Sequence, residues 1–291
     1  MGILKNWLKD TEYSVICGSD LTEVDDVIFD SRKAAPGTVF VCMVGSRTDS
    51  HDFIADVIKK GCDTFVVEKE LDGLPVESTD GLNIIKTDNA RRTLSYLAAA
   101  RFGYPAQKMC MIGLTGTKGK TSTSYMMKTV LEAGGKRTGV IGTNGCVIGD
   151  EHFATLNTTP DSYELNSYFK RMLDAGCDTV IMECSSQGFK MDRTAGISFS
   201  YGIFLNISPD HIGPLEHEDF AEYLYCKSRL LTQCTTAIVN KDDEHFDELL
   251  NEPGEYYDRL FTFSIKDASA DLYAYDLKFR TGADFAGTEF R

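Results

Sequence analysis

Residues 113–124 read GLTGTKGKTSTS, and this stretch decides the fold class. The residues before it, KMCMI at 108–112, are typical of a buried strand, and YMMKTVLEA at 125–133 is typical of a helix. A glycine-rich turn between a strand and a helix that ends in Gly-Lys-Thr can hold nucleotide phosphates on backbone N–H groups. The stretch therefore predicts an α/β domain with a phosphate loop, and it leaves open what the phosphate is used for.

The loop departs by one position from the usual pattern, G-x-x-x-x-G-K-[ST], because Leu114 stands where the first glycine is expected. Gly116 and Gly119 can still let backbone N–H groups approach the phosphates. Lys120 can reach the terminal phosphates, and the Thr121 hydroxyl can bind Mg²⁺. The alternative is an ordinary glycine-rich turn, which the flanking strand and helix disfavour.

Strand-like and helix-like segments alternate along the whole chain. The first part predicts strands at 24–29, 38–44, 64–67 and 82–86 and helices at 51–60 and 89–101. The second part predicts strands at 108–115, 138–142, 179–184, 200–206 and 235–239 and helices at 119–133, 162–175, 218–233 and 243–250. The segment FGYPAQ at 102–107 is the best linker candidate, which gives domains 1–104 and 105–291. We expect a small N-terminal α/β domain followed by a mostly parallel-sheet phosphate-loop domain, with ligands beyond the carboxyl ends of the strands.

Composition and charge narrow the class of protein. A chain of 291 residues, 42% hydrophobic and 25% charged, is long enough for two globular domains. No apolar run approaches the roughly 20 residues of a membrane span, and MGILKNWLKD does not resemble a signal peptide. The net charge of −14 disfavours nucleic acid as a partner. Nine cysteines without a C-x-x-C pair indicate a reducing compartment, so we expect a cytoplasmic protein.

Two other strand ends carry candidate metal ligands. Glu183 lies at the end of one predicted strand, and Asp210 and His211 follow another. Taken alone, such a glutamate is more often a surface charge, and such a histidine is more often structural. Their predicted place beside the phosphate loop favours a role with Mg²⁺ or phosphate, because Mg²⁺ prefers oxygen ligands.

Lys227 occupies an unexpected position in its predicted helix. It falls within the apolar stripe, three residues after Leu224 and four before Leu231. A buried lysine is unfavourable unless it is paired or chemically altered, and burial lowers its pKa and makes the neutral amine available for reaction. The alternative is a side chain whose amine reaches solvent at the edge of the helix.

Six motifs, in order along the chain, resemble those of the Mur ligases, which build the peptide of bacterial cell-wall precursors. They are DSR at 30–32 with PG at 36–37, TGTKGKTS at 115–122, NTTPDS at 157–162, ECSSQGFKMDR at 183–193, NISPDH at 206–211 and KSRLL at 227–231. The resemblance covers nearly the whole chain. It is closest to the type that forms the UDP-N-acetylmuramyl tripeptide, because NTTP and SSQG favour that type over the one that completes the pentapeptide.

The resemblance implies an ATP-dependent amide ligase of peptidoglycan precursor synthesis. ATP would phosphorylate the terminal carboxylate of UDP-MurNAc-L-Ala-D-Glu, and the amine of an incoming amino acid would attack the acyl phosphate and expel phosphate. Such a transfer depends mainly on positioning and on neutralisation of charge. The expected partners are these small molecules, without nucleic acid or membrane, and the expected state is a monomer. The sequence does not identify the added amino acid.

The resemblance also implies roles for individual residues by matching position. The residues that it assigns to ATP are Gly116, Thr117, Lys118, Gly119, Lys120, Thr121, Ser122 and Asn240. Those that it assigns to Mg²⁺ are Thr121, Glu183, His211 and Lys227, the last as a lysine that CO₂ converts to a carbamate. The catalytic set is Lys120, Glu183, His211 and Lys227. Those that it assigns to the UDP-MurNAc-peptide are Ser31, Ser46, Arg47, Thr48, Asp49, Asn157, Thr158, Thr159, Ser185 and Arg193.

The chain departs from the family pattern in four places, one of which is the loop SRTD at 46–49, since it is only loosely family-like. Lys118 stands where asparagine is frequent, and Met191 stands where a polar residue is expected two positions before Arg193. The chain also stops at Arg291 without the family's third domain, which binds the amino acid, and the central domain looks incomplete. We therefore expect substrate binding without efficient ligation. The alternatives are another ligase of the superfamily, such as a folylpolyglutamate-type enzyme, and a non-catalytic nucleotide-binding paralogue.

Overall fold

The computed structural model describes residues 1–45, 48–214, 216–251, 257–282 and 286–291. The chain divides into two compact units. The first unit is Met1–Lys108 with Pro160–Arg171 and Met191–Gly196, and the second is Met109–Thr159, Met172–Lys190 and Ile197–Arg291. Among the described residues, no helix is long and apolar enough to cross a lipid bilayer.

Two segments that the sequence analysis placed in the second domain, those containing Tyr163 and Asp192, belong to the first unit. The Ser95 hydroxyl donates a hydrogen bond to the Asp192 carbonyl at 2.7 Å. The Tyr163 hydroxyl lies 3.1 Å from both carboxylate oxygens of Asp26. These contacts join residues far apart along the chain, so local periodicity does not reveal them.

The first unit is a small α/β domain. Its main elements are β1 (Gly2–Ile3), α1 (Leu4–Trp7), β2 (Ser14–Cys17), β3 (Glu23–Val24), β4 (Asp26–Ile28), β5 (Thr38–Val41), α2 (Ile54–Lys59), β6 (Thr64–Val67), β7 (Asn83–Lys86) and α3 (Ala90–Arg101). Its sheet has the order β2-β7-β6-β5-β4, in which β4 to β7 are parallel and β2 is antiparallel to β7. β5 and β6 are buried along their whole length, as the continuous apolar runs of parallel strands predict.

The second unit is built on a nine-stranded sheet. From Met109 onward the elements are β8 (Cys110–Thr115), α4 (Lys120–Ala133), β9 (Thr138–Gly142), β10 (Gly145–Ile148), β11 (Glu151–Phe153), α5 (Ser162–Asp174, mostly in the first unit), β12 (Thr179–Glu183), α6 (Ser186–Lys190), β13 (Phe199–Phe204), α7 (Phe220–Ser228), β14 (Cys234–Asn240), α8 (Phe246–Asn251), β15 (Arg259–Ser264), β16 (Leu272–Tyr273), β17 (Lys278–Thr281) and β18 (Ala286–Glu289). The strand order is β11-β10-β9-β12-β8-β13-β14-β15-β16. In this sheet only β10 runs antiparallel to its neighbours, β9 and β11, which confirms the predicted mostly parallel α/β fold.

The strand that precedes the phosphate loop lies in the middle of this sheet. β8 pairs with β12 on one side and with β13 on the other. Leu114 is in register with Glu183, and Thr115 is in register with Phe204. Because the carboxyl ends of parallel strands meet at one edge, the residues that follow β8, β9, β12 and β13 surround a common position.

The sequence analysis missed the hairpin of β10 and β11, helix α6 and strand β15. It also predicted α7 too long, at 218–233. The helix begins at Phe220 because the Asp219 carboxylate caps it, accepting a hydrogen bond from Glu222 N at 2.8 Å. After Ser228 the chain changes to a short 3₁₀ turn at Leu231–Gln233.

Candidate functional site

Two glycines shape the turn between β8 and α4. Gly116 has a φ of +156° and Gly119 a φ of +86°, values at which a residue with a side chain is strained. A Cβ atom on Gly116 would also lie 3.1 Å from Leu205 Cβ. Gly119 immediately precedes Lys120, the first residue of α4. The N–H groups of the first helical turn lack intrahelical acceptors, so this end of α4 is suited to an anion.

Asn206, which follows β13, holds the first half of the loop. Its backbone carbonyl accepts a hydrogen bond from Thr117 N at 3.0 Å. Its side-chain oxygen accepts from Lys118 N at 3.0 Å, and its side-chain nitrogen donates to Lys118 O at 3.1 Å. The backbone N–H groups of Thr117 and Lys118 are therefore engaged within the protein. The groups left for phosphate are those from Gly119 to Ser122.

Glu183, the last residue of β12, is fully buried at 0% exposure. Its carboxylate accepts hydrogen bonds from the Thr121 hydroxyl at 3.0 Å and from the Thr143 hydroxyl at 3.1 Å. The Thr143 N–H lies 3.3 Å from the other carboxylate oxygen. Thr121 and Glu183 thus bring together two oxygens of the kind that Mg²⁺ prefers.

We predict that Gly142→Ala will displace this carboxylate. A Cβ atom at residue 142 would lie 2.1 Å from Glu183 Oε1, so the carboxylate would have to leave its threonine donors. Losing a charge-assisted interaction should weaken Mg-ATP binding by about tenfold or more, measured by titration calorimetry. Gly282→Ala is the control, because a Cβ atom there meets nothing within 4 Å. Unchanged affinity in a folded Gly142→Ala protein would contradict a metal-binding role for Glu183.

Two lysines donate to the same backbone carbonyl. Lys120 Nζ lies 2.8 Å from the Gly116 oxygen, and Lys227 Nζ lies 2.9 Å from that same oxygen. Lys227 is only 2% exposed, so its amine does not reach solvent at the helix edge. Burial, and after it the neighbouring Lys120 charge, lowers the pKa of Lys227 to about 7. The amine of Lys227 is therefore neutral in a large fraction of molecules at neutral pH.

His211 is placed differently from the other predicted metal ligands. Its side chain is half exposed, and its ring Nδ1 lies 2.8 Å from a carboxylate oxygen of Glu216. Its φ of +55° is strained for a histidine. The described contacts do not join its ring to Thr121 or Glu183, and the contact of Nδ1 with Glu216 leaves the other ring nitrogen, Nε2, available as a ligand.

A second group near this loop has the residue types of a metal site. Ligand atoms of His217, Glu222 and Cys226 lie within 4.8 Å of one another. Among the described residues, this is the only group of three or more His, Cys, Asp or Glu side chains that is close enough to share a metal ion. The two Glu222 oxygens, however, lie 2.8 and 2.9 Å from Lys190 Nζ, and Glu218 N donates to one of them at 2.7 Å. Because Lys190 neutralises its charge, this carboxylate is a poor cation ligand.

The first unit contains four described residues that were assigned to the UDP-sugar substrate, namely Ser31, Thr48, Asp49 and Arg193, while Ser46 and Arg47 lie outside the described residues. The Asp49 carboxylate is held by Lys69 Nζ and by the His51 ring, each at 2.6 Å. Although burial opposes it, these two partners lower the pKa of Asp49 to about 2. The carboxylate of Asp49 thus stabilises its own loop.

Ser31 and Arg193 differ in their surroundings. The backbone carbonyl of Ser31 accepts a hydrogen bond from Lys60 Nζ at 2.7 Å. The Ser31 hydroxyl takes no part in this bond. Burial lowers the pKa of the half-buried Arg193 guanidinium, and the Asp161 carboxylate opposes that shift. An arginine with a weakened hydration shell is suited to binding an anionic group.

The second unit contains Asn157, Thr158, Thr159 and Ser185. Thr159 is buried and structural, since its hydroxyl donates to the Glu183 carbonyl at 3.0 Å and accepts from Ser185 N at 2.8 Å. The Thr158 hydroxyl lies 3.1 Å from the hydroxyl of Thr143, which contacts the Glu183 carboxylate. Thr158 therefore connects a predicted substrate segment to the predicted metal ligand.

Asn240, assigned to the nucleotide base, ends β14. Its side-chain nitrogen donates to the Leu205 carbonyl at 2.9 Å, and its oxygen accepts from Asp242 N at 3.0 Å. These bonds fix the chain next to the segment that holds the phosphate loop. Contact between Asn240 and a base remains a prediction.

The sequence analysis did not assign roles to three residues that the structure places around the loop: Thr143, Asn206 and Tyr223. Thr143 directly follows β9, so its position after a parallel strand was a usable signal. Asn206 lies in the quoted NISPDH motif. Tyr223 lies one helical turn before Lys227, which was a usable signal too.

Comparisons with known proteins agree with this geometry. The family model of the Mur ligase middle domain matches residues 114–289. The chain is 37% identical over 291 residues to a UDP-N-acetylmuramoyl-L-alanyl-D-glutamate--2,6-diaminopimelate ligase of Clostridium perfringens, covering 99% of this chain and 58% of that relative. The chain thus spans little more than half the length of that relative.

Two solved structures show the same fold. A UDP-N-acetylmuramoyl-L-alanyl-D-glutamate--2,6-diaminopimelate ligase superposes with a TM-score of 0.80 at 24% identity, over 99% of this chain and 57% of that one. A MurF ligase from Thermotoga maritima in complex with ADP superposes with a TM-score of 0.56 at 19% identity, over 92% of this chain and 56% of that one.

Proposed function

Because the chain belongs to the Mur ligase family, we propose that it carries the ATP and UDP-MurNAc-L-Ala-D-Glu sites of an ATP-dependent amide ligase. The reaction adds the third amino acid of a peptidoglycan precursor. ATP phosphorylates the terminal carboxylate of the dipeptide, and the incoming amine attacks the acyl phosphate. A curated relative named for this ligation with 2,6-diaminopimelate covers 99% of this chain, which supports the proposal.

The observation that carries the proposal is the set of charged residues buried around the phosphate loop. Two lysines converge on the Gly116 carbonyl, and the buried Glu183 carboxylate contacts Thr121. A purely structural turn does not need two converging lysine amines and a buried carboxylate at the end of a sheet. In the proposed reaction Lys120 neutralises phosphate charge, which is the main requirement of phosphoryl transfer.

The residues present suit Mg²⁺. Thr121 and Glu183 supply oxygens from two different elements, and Mg²⁺ is usually bound by one or two protein oxygens together with phosphate and water. The ion would neutralise charge on the nucleotide phosphates when bound. The residues that would hold it are Thr121, Glu183, Lys227 in carbamate form and His211, whose Nε2 is not engaged by Glu216.

Lys227 is suited to carboxylation by CO₂. The neutral amine attacks CO₂, an N–C bond forms, and one proton is released to solvent. A pKa near 7 provides the neutral amine at neutral pH, and the positive charge of Lys120 favours the resulting anion. The modification would convert a buried cation into an oxygen ligand.

The test of the proposed function is titration calorimetry of the 291-residue chain with UDP-MurNAc-L-Ala-D-Glu, with UDP-GlcNAc as the control. We expect UDP-MurNAc-L-Ala-D-Glu to bind about tenfold or more tightly than UDP-GlcNAc, since each good polar contact to the muramoyl peptide raises the affinity severalfold. Equal affinity for both ligands in a sample that binds Mg-ATP would contradict the substrate. That outcome would favour the second candidate, a nucleotide-binding module without ligase activity.

We also propose a cytoplasmic monomer. All nine cysteines are free thiols, which suits a reducing compartment, and the proposed substrates are small soluble molecules. Sedimentation velocity at micromolar concentration is expected to show a single species of 32.3 kDa, and a stable dimer would contradict the monomer.

A further inference from the structure

Tyr223 stands between the phosphate loop and Lys227. It lies on α7 one turn before Lys227 and is fully buried at 0% exposure. Its hydroxyl is 3.1 Å from the Thr117 hydroxyl, and its ring centre is 4.8 Å from Lys227 Nζ. One side chain therefore contacts both the loop and the helix that carries the reactive lysine.

The hydrogen bond between Tyr223 and Thr117 belongs to a small network around the Thr117 hydroxyl. The Thr117 hydroxyl lies 3.2 Å from the Ser208 carbonyl. The Thr117 oxygen also accepts from Ser208 N at 3.0 Å. Either hydroxyl can be the donor in the 3.1 Å contact between Thr117 and Tyr223. Burial raises the pKa of Tyr223, although the bond to Thr117 opposes that shift, so the hydroxyl keeps the proton at neutral pH.

The contact gives Thr117 a second anchor, because the other described contacts of the Thr117 hydroxyl and N–H come from the segment after β13. Asn206 and Ser208, which fix Thr117 and Lys118, both belong to the segment after β13. From α7, Tyr223 contacts Thr117, and Lys227 donates to the Gly116 carbonyl. Without the Tyr223 hydroxyl, the described contacts of the Thr117 hydroxyl and N–H all come from the segment after β13.

We propose that Tyr223 is a positioning residue of the nucleotide site: its hydroxyl holds Thr117 and thereby keeps the phosphate loop ordered for ATP, while its ring packs against Lys227. This inference rests on the proposed function for its ligand, Mg-ATP. The contacts of Tyr223 are present without nucleotide, so its effect on the order of the phosphate loop can be tested independently of ATP binding.

The test uses the 291-residue chain with Tyr223→Phe, which keeps the ring beside Lys227 and removes only the hydroxyl. Tyr225→Phe is the matched control, because Tyr225 lies on the same helix with its side chain 49% exposed. Hydrogen exchange without nucleotide is expected to be faster at residues 113–124 in Tyr223→Phe and unchanged in Tyr225→Phe. Equal exchange in wild type and Tyr223→Phe would overturn the positioning role.

The nucleotide arm measures Mg-ATP affinity by calorimetry. We expect about fivefold weaker binding for Tyr223→Phe, the typical effect of one hydrogen bond, with UDP-MurNAc-L-Ala-D-Glu binding unchanged. In a double-mutant cycle, Tyr223→Phe should cause no further loss once Thr117→Val has removed the partner hydroxyl. Additive losses, or weaker binding of both ligands, would indicate a general structural effect and overturn the proposal. Absence of Mg-ATP binding by the wild type would instead refute the proposed function, while the exchange data still decide the role of Tyr223.

Discussion

Lys227→Met is expected to stabilise the protein while it removes the residue proposed to be carboxylated. Methionine has a similar length and flexibility and no charge, so it can fill the same space without the desolvation penalty of an ammonium. The Gly116 carbonyl keeps a partner, because Lys120 Nζ still donates to it at 2.8 Å. No buried polar group is left without a partner at this contact, so we expect a gain of a few kcal/mol in the free energy of unfolding at neutral pH.

The gain should depend on pH in a definite direction. The pKa of Lys227 falls from 10.5 in the unfolded chain to about 7 in the folded one, so between these values the unfolded state binds the extra proton. Wild-type stability therefore rises with pH across this window, and the advantage of the variant shrinks. We expect the difference in unfolding free energy to be roughly 2 to 3 kcal/mol smaller at pH 9 than at pH 6.

Urea unfolding in CO₂-free buffer at several pH values measures this difference. Lys136→Met is the control, because Lys136 is an exposed lysine and its replacement should give no such dependence on pH. Adding bicarbonate should then stabilise the wild type and leave Lys227→Met unchanged, since only the folded amine can be held as a carbamate. A variant that is less stable than the wild type at every pH would mean that Lys227 is charged and well compensated in the folded protein.

The fold class could be predicted because its signals are local. The buried strand, the glycines and the helix around residues 113–124 are contiguous, and each follows its own periodicity. The position of Lys227 in an apolar stripe is also a local signal, which indicates burial, with an amine that reaches solvent as the alternative, and the structure shows the side chain buried. Such features need no knowledge of which strands are neighbours.

The support of the site could not be predicted in the same way. Asn206 and Tyr223 hold the phosphate loop through contacts that span 88 and 106 residues of sequence. The pairing of Glu183 with Thr143 depends on which strand lies next to β12, and strand order is not encoded by periodicity. For His211 the sequence indicates a role but not the contacts of the side chain. Its family position indicates a metal ligand, while its ring Nδ1 contacts Glu216 in the structure.

The second large effect is expected for Lys120→Met, which should weaken Mg-ATP binding by about 100-fold. Lys120 is the first residue of α4, and its ammonium shares the Gly116 carbonyl with Lys227. Its loss removes a charge-assisted bond to phosphate and one of two positive charges in the site, and such bonds contribute about 1.5–3 kcal/mol each. Lys118→Met is the comparison, since Lys118 has an exposed side chain in the same loop. This variant should bind Mg-ATP at most severalfold more weakly than the wild type.

The same substitution has a consequence at Lys227 that no simple loss of a phosphate contact would produce. After burial, the charge of Lys120 is the strongest influence that lowers the pKa of Lys227, so this pKa should rise in Lys120→Met. A higher pKa leaves less neutral amine, and the carbamate signal seen by ¹³C NMR with labelled bicarbonate should then require a higher pH. An unchanged carbamate profile together with lost ATP binding would show that the two lysines act separately, although they donate to one carbonyl. A shifted profile would show that the cation that binds phosphate also determines the pH at which Lys227 can take up CO₂.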